Sequence, residues 1–272
     1  PEMMPVFYAR QIEFTRAQVD ITPDLIVWPE VAVPFLLNDP DAPFRDIVAA
    51  ANGAMVIVGA QRLEDGRAYN SLAVLEANTN TGDDNGAEII ARYDKHHLVP
   101  FGEYLPFGAT LDRFGLRALT AQFGYGFSAG AGPAVLDLAA LGPVLVMICY
   151  EAIFPHELRR VGARPEWMLL ITNDGWFGQR TGPYQHLAQA RARAIEFALP
   201  LVRVANTGVS AVIDADGRIT GQIPLGTSGY RDIRLPRAKL ATFYWRSGDL
   251  PALLALIATL GGLLFALRRN SV

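Results

Sequence analysis

From Leu250 to Leu267 the chain runs for 18 residues without a charge, Leu-Pro-Ala-Leu-Leu-Ala-Leu-Ile-Ala-Thr-Leu-Gly-Gly-Leu-Leu-Phe-Ala-Leu, and Arg268-Arg269 close the run. As an α-helix it is about 27 Å long, enough to cross the hydrocarbon layer of a bilayer. A helix packed on a globular body keeps one polar face, and this one offers only Thr259. A C-terminal transmembrane helix over about 250–267 is therefore expected, within a terminal segment 247–272 that ends in a short basic tail. A buried C-terminal helix is the alternative. Arginines beyond a membrane span favour the cytoplasmic side, so residues 1–249 are expected on the extracytoplasmic face. A body on that face needs an export or insertion signal, and the chain opens at Pro1 without one, so further sequence is expected before it.

The charge balance narrows the partners. With 27 acidic and 24 basic residues and no basic run beyond Arg268-Arg269, the chain lacks the electrostatic footprint of a nucleic-acid binder. Its one cysteine excludes an intramolecular disulfide, and no Cys/His set has zinc spacing. His96 and His97 are adjacent and cannot share a helix face. No metal or other cofactor is expected.

Periodicity then divides residues 1–246 into alternating elements. Residues 5–20 have helical spacing, and Leu25–Trp28 is a short strand-like run with Glu30 just beyond it. Pro43–Ala51 reads as a helix stopped by Asn52-Gly53, and Ala54–Gln61 as a buried strand, giving a strand–helix–strand unit. Ser71–Glu76 and Glu88–Tyr93 form a hairpin around a polar turn, with Lys95 past its end. Val144–Ile148 and Met168–Thr172 are further buried strands, and Tyr184–Phe197 is a helix. Leu201–Val204 and Ser210–Ile213 pair around Asn206-Thr-Gly208, and Asp214–Gly217 turns a hairpin. No repeat or linker breaks this stretch, so a single α/β domain is expected over 1–246.

Between Phe101 and Phe127 stand seven aromatic residues, Phe101, Tyr104, Phe107, Phe114, Phe123, Tyr125 and Phe127, far denser than the 10% average of the chain. Glycines break their periodicity and argue for loops, which lie on the surface. Exposed aromatics beside a membrane anchor suit lipid contact, with ordinary core packing as the other reading.

Cys149 stands where the Val144–Ile148 strand gives way to a segment whose helix starts at Pro155. Such an elbow can lift a nucleophile above the sheet edge, with following backbone N–H groups placed for an oxyanion. A free cysteine is also a good small core residue, and position alone leaves both roles open. Glu30 and Lys95 likewise follow buried strands, and strand ends are where side chains of an α/β sheet converge on a ligand. Each taken singly could be a surface charge. Together they supply a base, a cation and a nucleophile.

At these positions the chain resembles a known family. Leu25-Ile-Val-Trp-Pro-Glu30, Tyr93-Asp-Lys95-His-His-Leu-Val-Pro100 and Ile148-Cys-Tyr-Glu151 are similar to the three catalytic segments of the nitrilase, or carbon–nitrogen hydrolase, superfamily. Within it, the segments running from Lys95 to Pro106, Asn173-Asp-Gly-Trp-Phe-Gly178, Gly182-Pro-Tyr-Gln-His186, Ala190–Ala194 and Ala205-Asn-Thr-Gly208 resemble the apolipoprotein N-acyltransferases. The resemblance runs from about Leu25 to the end of the chain and implies a nitrilase-like α-β-β-α sandwich. It implies Glu30 as general base, Lys95 as the cation at the oxyanion and Cys149 as nucleophile. Glu103, Tyr150 and Glu151 would support the site, and Trp28, Tyr104, Trp176 and Phe177 would contact substrate or lipid. The implied partners are a phospholipid acyl donor, a diacylglyceryl lipoprotein acceptor and a bilayer. The family carries a bundle of membrane helices before this domain, which this sequence does not contain. A nitrilase-like amidase acting on a small amide or nitrile is the rival activity.

Overall fold

Strands that are apolar at every position need cover on both faces, and the fold supplies it with two sheets back to back and helices outside them. The computed structural model describes residues 3–17, 22–39, 42–78, 86–106 and 126–270. The first sheet has the order β1-β2-β3-β4. Strand β1 (Leu25–Val27) lies parallel to β2 (Met55–Glu64), with α2 (Phe44–Ala51) as the crossover between them. Strands β3 (Arg67–Ala77) and β4 (Ala87–Asp94) follow antiparallel, as the hairpin reading predicts.

The second sheet has the order β10-β9-β8-β7-β6-β5. Its centre is three parallel strands, β6 (Pro143–Ile148), β7 (Trp167–Asn173) and β8 (Leu201–Asn206). The antiparallel strands β5 (Ala134–Asp137), β9 (Ser210–Ile213) and β10 (Ile219–Ile223) flank them. β5 and β10 escape a periodicity reading because one has four residues and the other is interrupted by Gly221.

The two-residue period of the strands decides which side chain meets which layer. From β6, Val144, Val146 and Ile148 meet Ile57, Leu72 and Val74 of the first sheet. Leu145 and Met147 face the other way, onto Leu187, Ala190, Ala194 and Phe197 of α4 (Gly182–Phe197). From β2, Val56, Val58 and Ala60 pack with Ile12 of α1 (Met4–Arg16) and Ile47 and Ala51 of α2. Each such fully buried aliphatic side chain contributes about 1.5–3 kcal/mol. The result is the expected α-β-β-α sandwich.

Helix α2 ends at Asn52, whose φ of +51° stops it where the Asn-Gly pair predicts. The helix expected at Pro155 is one turn, α3 (Pro155–Leu158), and a 3-10 turn over Cys149–Ile153 precedes it. Helix α5 (Phe243–Ser247) is capped by Thr242, whose side chain accepts from Trp245 N–H at 2.9 Å. Helix α6 (Leu250–Asn270) leaves the body exposed and, over Leu250–Arg269, is long and apolar enough to cross a membrane. Of the expected aromatic surface, Phe107, Phe114, Phe123 and Tyr125 lie outside the described residues, as do residues 79–85 of the polar turn and 18–20 of the first helical pattern.

Candidate active site

Glu30 is brought to the sheet edge by a loop that clings to β2. Trp28 N–H donates to Ile57 O and Ala32 N–H to Gly59 O, both at 2.8 Å. The approach is so close that a Cβ at position 59 would overlap the Pro29 carbonyl oxygen and stand 2.7 Å from Glu30 Cα. Val31, just after Glu30, holds a φ of +49°, a strained conformation for a β-branched residue. Lys95 leaves the end of β4 with its N–H on Asn70 O and its carbonyl accepting from Gly130 N–H, both at 2.8 Å. Cys149, one residue past β6, also has a left-handed backbone, φ +51°. The sharp turn ends the strand and begins the 3-10 turn, as an elbow requires.

The three side chains converge in the interior, with Glu30 4% exposed, Lys95 1% and Cys149 5%. Lys95 Nζ lies 2.7 Å from Glu103 Oε1 and 3.6 Å from Glu30 Oε1. Asn70 Nδ2 and the Asn173 N–H each donate to the Glu30 carboxylate at 2.7 Å. Glu103 is held by Val99 N–H, 2.8 Å from Oε2. Burial pushes the Glu30 carboxyl up, against the opposing pull of Lys95 and Asn70. It also pushes the Cys149 thiol up to about 11, helped by the Glu30 charge and opposed by Lys95. Burial wins at the thiol, and the sulfur rests protonated. Burial lowers Lys95 as well, but the carboxylates of Glu30 and Glu103, joined by the Cys149 sulfur where it ionises, carry it above its ordinary value. A thiol that rests protonated needs a neighbouring base to take its proton before the sulfur can attack.

The remaining expected residues divide. Glu151 is fully buried and accepts from Tyr93 OH, His96 N–H and Ile148 N–H, each at 2.7 Å. It thereby ties the Lys95 loop to the elbow. Tyr150 packs edge-on against His97 and Phe154. Trp28 is not placed to touch lipid: just past the end of β1 it is buried beneath α1, against Tyr8 and with Nε1–H on Thr15 Oγ1 at 3.0 Å. Tyr104 and Phe177 are exposed, Trp176 is 76% exposed, and Phe101 is 65% exposed.

Sequence reasoning passes over several buried partners. Asn70 lies inside β3 and orients Glu30; only its position in space marks it. Asp174, His186 and Arg203 come from three elements and form one buried chain. Arg203 Nη2 lies 2.7 Å from Asp174 Oδ2, His186 Nδ1 lies 2.9 Å from Asp174 Oδ1, and His186 Nε2 lies 3.3 Å from the Cys149 carbonyl oxygen. The signals were there without a role attached: Asp174 and His186 stand in two of the segments that carry the resemblance, and an arginine interrupts the strand-like run Leu201–Val204. Among the described residues no cluster of His, Cys, Asp and Glu is placed to hold a metal ion.

Comparison with known proteins agrees with this layout. A family model described as carbon-nitrogen hydrolase matches residues 8–243. The apolipoprotein N-acyltransferase of Rhodopseudomonas palustris is 46% identical over 254 residues, 90% of this chain and 45% of that protein. That of Bradyrhizobium diazoefficiens is 45% identical over 253 residues, again 90% of this chain and 45% of the relative. The chain thus spans about half the length of the curated relatives it matches. Among solved structures, Nit3 of Saccharomyces cerevisiae, a nitrilase superfamily member, aligns with a TM-score of 0.57 at 19% identity, covering 83% of this chain and 82% of the other. A CN-hydrolase superfamily protein of Xanthomonas campestris aligns with a TM-score of 0.54 at 21% identity, covering 94% and 91%. At these identities the structures speak for the fold.

Proposed function

The chain belongs to the carbon–nitrogen hydrolase family, and from that membership we propose that it carries an acyl chain on Cys149 from a phospholipid to the N-terminus of a lipoprotein. The observation that carries the chemistry is the convergence of Glu30, Lys95 and Cys149 at the ends of β1, β4 and β6. In the first half, Cys149 Sγ attacks the ester carbonyl of the phospholipid and the thiol proton passes to Glu30. Lys95 and the backbone N–H of Tyr150 hold the oxyanion. The C–O bond breaks, the leaving oxygen takes the proton back from Glu30, and a lysophospholipid departs, leaving a thioester. In the second half, the α-amino group of a diacylglyceryl cysteine attacks the thioester and Glu30 accepts the amine proton. The C–S bond breaks, the sulfur is reprotonated, and an N-acyl lipoprotein leaves.

The choice of a lipid donor rests on the relatives' similarity and on α6, which fits a bilayer by length and composition. In this reading the catalytic body stands on the extracytoplasmic face of a bacterial inner membrane, with the basic tail in the cytoplasm. Exposed Phe101, Trp176 and Phe177 face the lipid and keep water from the thioester. The Cys149 elbow also suits a nitrilase-like amidase, so the test runs both reactions. Protein in vesicles with phospholipid and a diacylglyceryl lipopeptide should give N-acyl lipopeptide in amounts that far exceed ammonia released from small amides. Ammonia release with no N-acyl peptide would sink the proposal.

A further inference from the structure

The mechanism needs the Tyr150 N–H to point at the oxyanion, yet nothing in it accounts for how a strained elbow holds that direction. We propose that His186, backed by Asp174 and Arg203, is the positioning residue that fixes the Cys149–Tyr150 peptide. This rests on the acyl-enzyme reading above and adds to it a group that never touches substrate.

A trans peptide holds its N–H opposite its C=O, so a donor fastened to the Cys149 carbonyl sets the direction of the Tyr150 N–H. His186 Nε2 is that donor, 3.3 Å from the Cys149 oxygen. A carbonyl can only accept, so Nε2 carries the hydrogen. The ring cannot rotate away, because Nδ1 is held on its other side, accepting from Arg203 Nη2 at 3.0 Å, with Asp174 Oδ1 2.9 Å away beside the same guanidinium. Asp174 in turn is gripped by Arg203 Nη2 at 2.7 and 3.0 Å and by Thr172 Oγ1 at 3.3 Å. The chain is sealed from water, with Asp174 0% exposed, Arg203 1% and His186 4%. Burying so many charged and polar groups costs more than hydrophobic packing in their place, so stability alone is a weak account of them.

The placement is specific to the elbow. Helix α4 presents a second donor to the same turn, Arg193 Nη1 on the Ala152 carbonyl at 3.3 Å. The two contacts hold the first and fourth residues of the 3-10 turn whose first residue carries the positive φ. A hydrogen bond at the carbonyl end also polarises the peptide and strengthens the donor at its N–H end. His186 thus acts on the transition state through the backbone and leaves binding of the acyl donor alone.

The test uses the whole protein in detergent micelles with two probes of the same sulfur. A p-nitrophenyl ester acylates Cys149 through an oxyanion, and iodoacetamide alkylates it without one. His186→Phe, which keeps a ring and removes the donor, should slow acyl-enzyme formation about tenfold or more, given that outright loss of an oxyanion donor costs about 10²–10³. Its KM and its alkylation rate should stay within about twofold of wild type. His186→Gln, which keeps an N–H, should recover most of the loss. Unchanged acylation in His186→Phe, alkylation falling in step with acylation, or a Gln variant as slow as the Phe variant would each overturn the proposal. Wild type that acylates from the ester but never forms N-acyl lipopeptide would remove the substrate assignment and leave the role of His186 standing. Wild type that forms no acyl-enzyme from the ester removes both.

Discussion

With its thiol pushed up to about 11, Cys149 rests protonated, and in the proposed mechanism the carboxylate that takes its proton is Glu30. That assigns the acid limb of the reaction. Glu30 works only when ionised, and burial raises its pKa, so thioester formation should fall as the pH drops through a value above the ordinary carboxylate range of about 4.3. Stopped-flow acylation against pH reads this directly, and a limb at or below the ordinary value would contradict the assignment. Glu30→Gln should cost about 10²–10⁴ in acylation rate, the usual worth of a positioned base. At this scale the sequence placed Glu30, Lys95 and Cys149 past strand ends, and the structure brings their side chains near one another, although only β6 is a buried strand as expected, β1 being half-buried and β4 mostly exposed. It could not show that burial would outweigh Lys95 at the thiol, nor that Asn70 would meet Glu30 across 40 residues of chain. Those facts depend on which surfaces close over one another.

The elements were legible where apolar runs were long and poorly so where they were short. β2, β3, β6, β7 and α4 follow from periodicity, whereas β5, β10 and the 3-10 turns do not. The unread parts include the loops that set the geometry, and two of them make predictions. Gly59 admits the Glu30 loop to β2, so Gly59→Ala forces backbone against backbone. It should destabilise by about 1–3 kcal/mol in chemical denaturation and slow acylation more than it slows alkylation of Cys149. An unperturbed variant would mean the close approach is incidental. The second device is a clamp of His96 and His97 on Glu157 of α3, at 3.2 and 2.9 Å, which holds the Lys95 loop to the segment after the elbow. Burial lowers His96, but Glu151 and Glu157 raise it further, so its contribution is complete below 6.5 and is lost as pH rises through the higher folded value. Burial raises Glu157, but its bonds to His97 and His96 lower it further, so its contribution is complete above 4.5 and is lost as pH falls through the lower folded value. The destabilisation of Glu157→Gln, measured as a shift in Tm, should therefore be largest between about 4.5 and 6.5 and shrink on either side.

For the molecule as a whole, a sandwich that buries Cys149 is joined to a fully exposed apolar helix. The uncharged run after Leu250 made that helix legible at once, since it leaves no polar face for a globular surface. The same pairing poses the problem of water. The proposed reaction must hold a thioester long enough for an amine to arrive, and Trp176, 76% exposed, sits on the Asp174–Phe177 turn, whose Phe177 packs edge-on to His186. Trp176→Ser should raise the ratio of free fatty acid to N-acyl product in vesicles, and an unchanged ratio would place the water barrier elsewhere. The most direct measurement of Cys149 as the acyl carrier is the intact mass of the membrane-embedded protein after phospholipid is added and the acceptor withheld. One acyl chain should appear, should be removed by hydroxylamine, and should be absent from Cys149→Ala. An acyl adduct that survives in Cys149→Ala, or turnover by that variant, would contradict it.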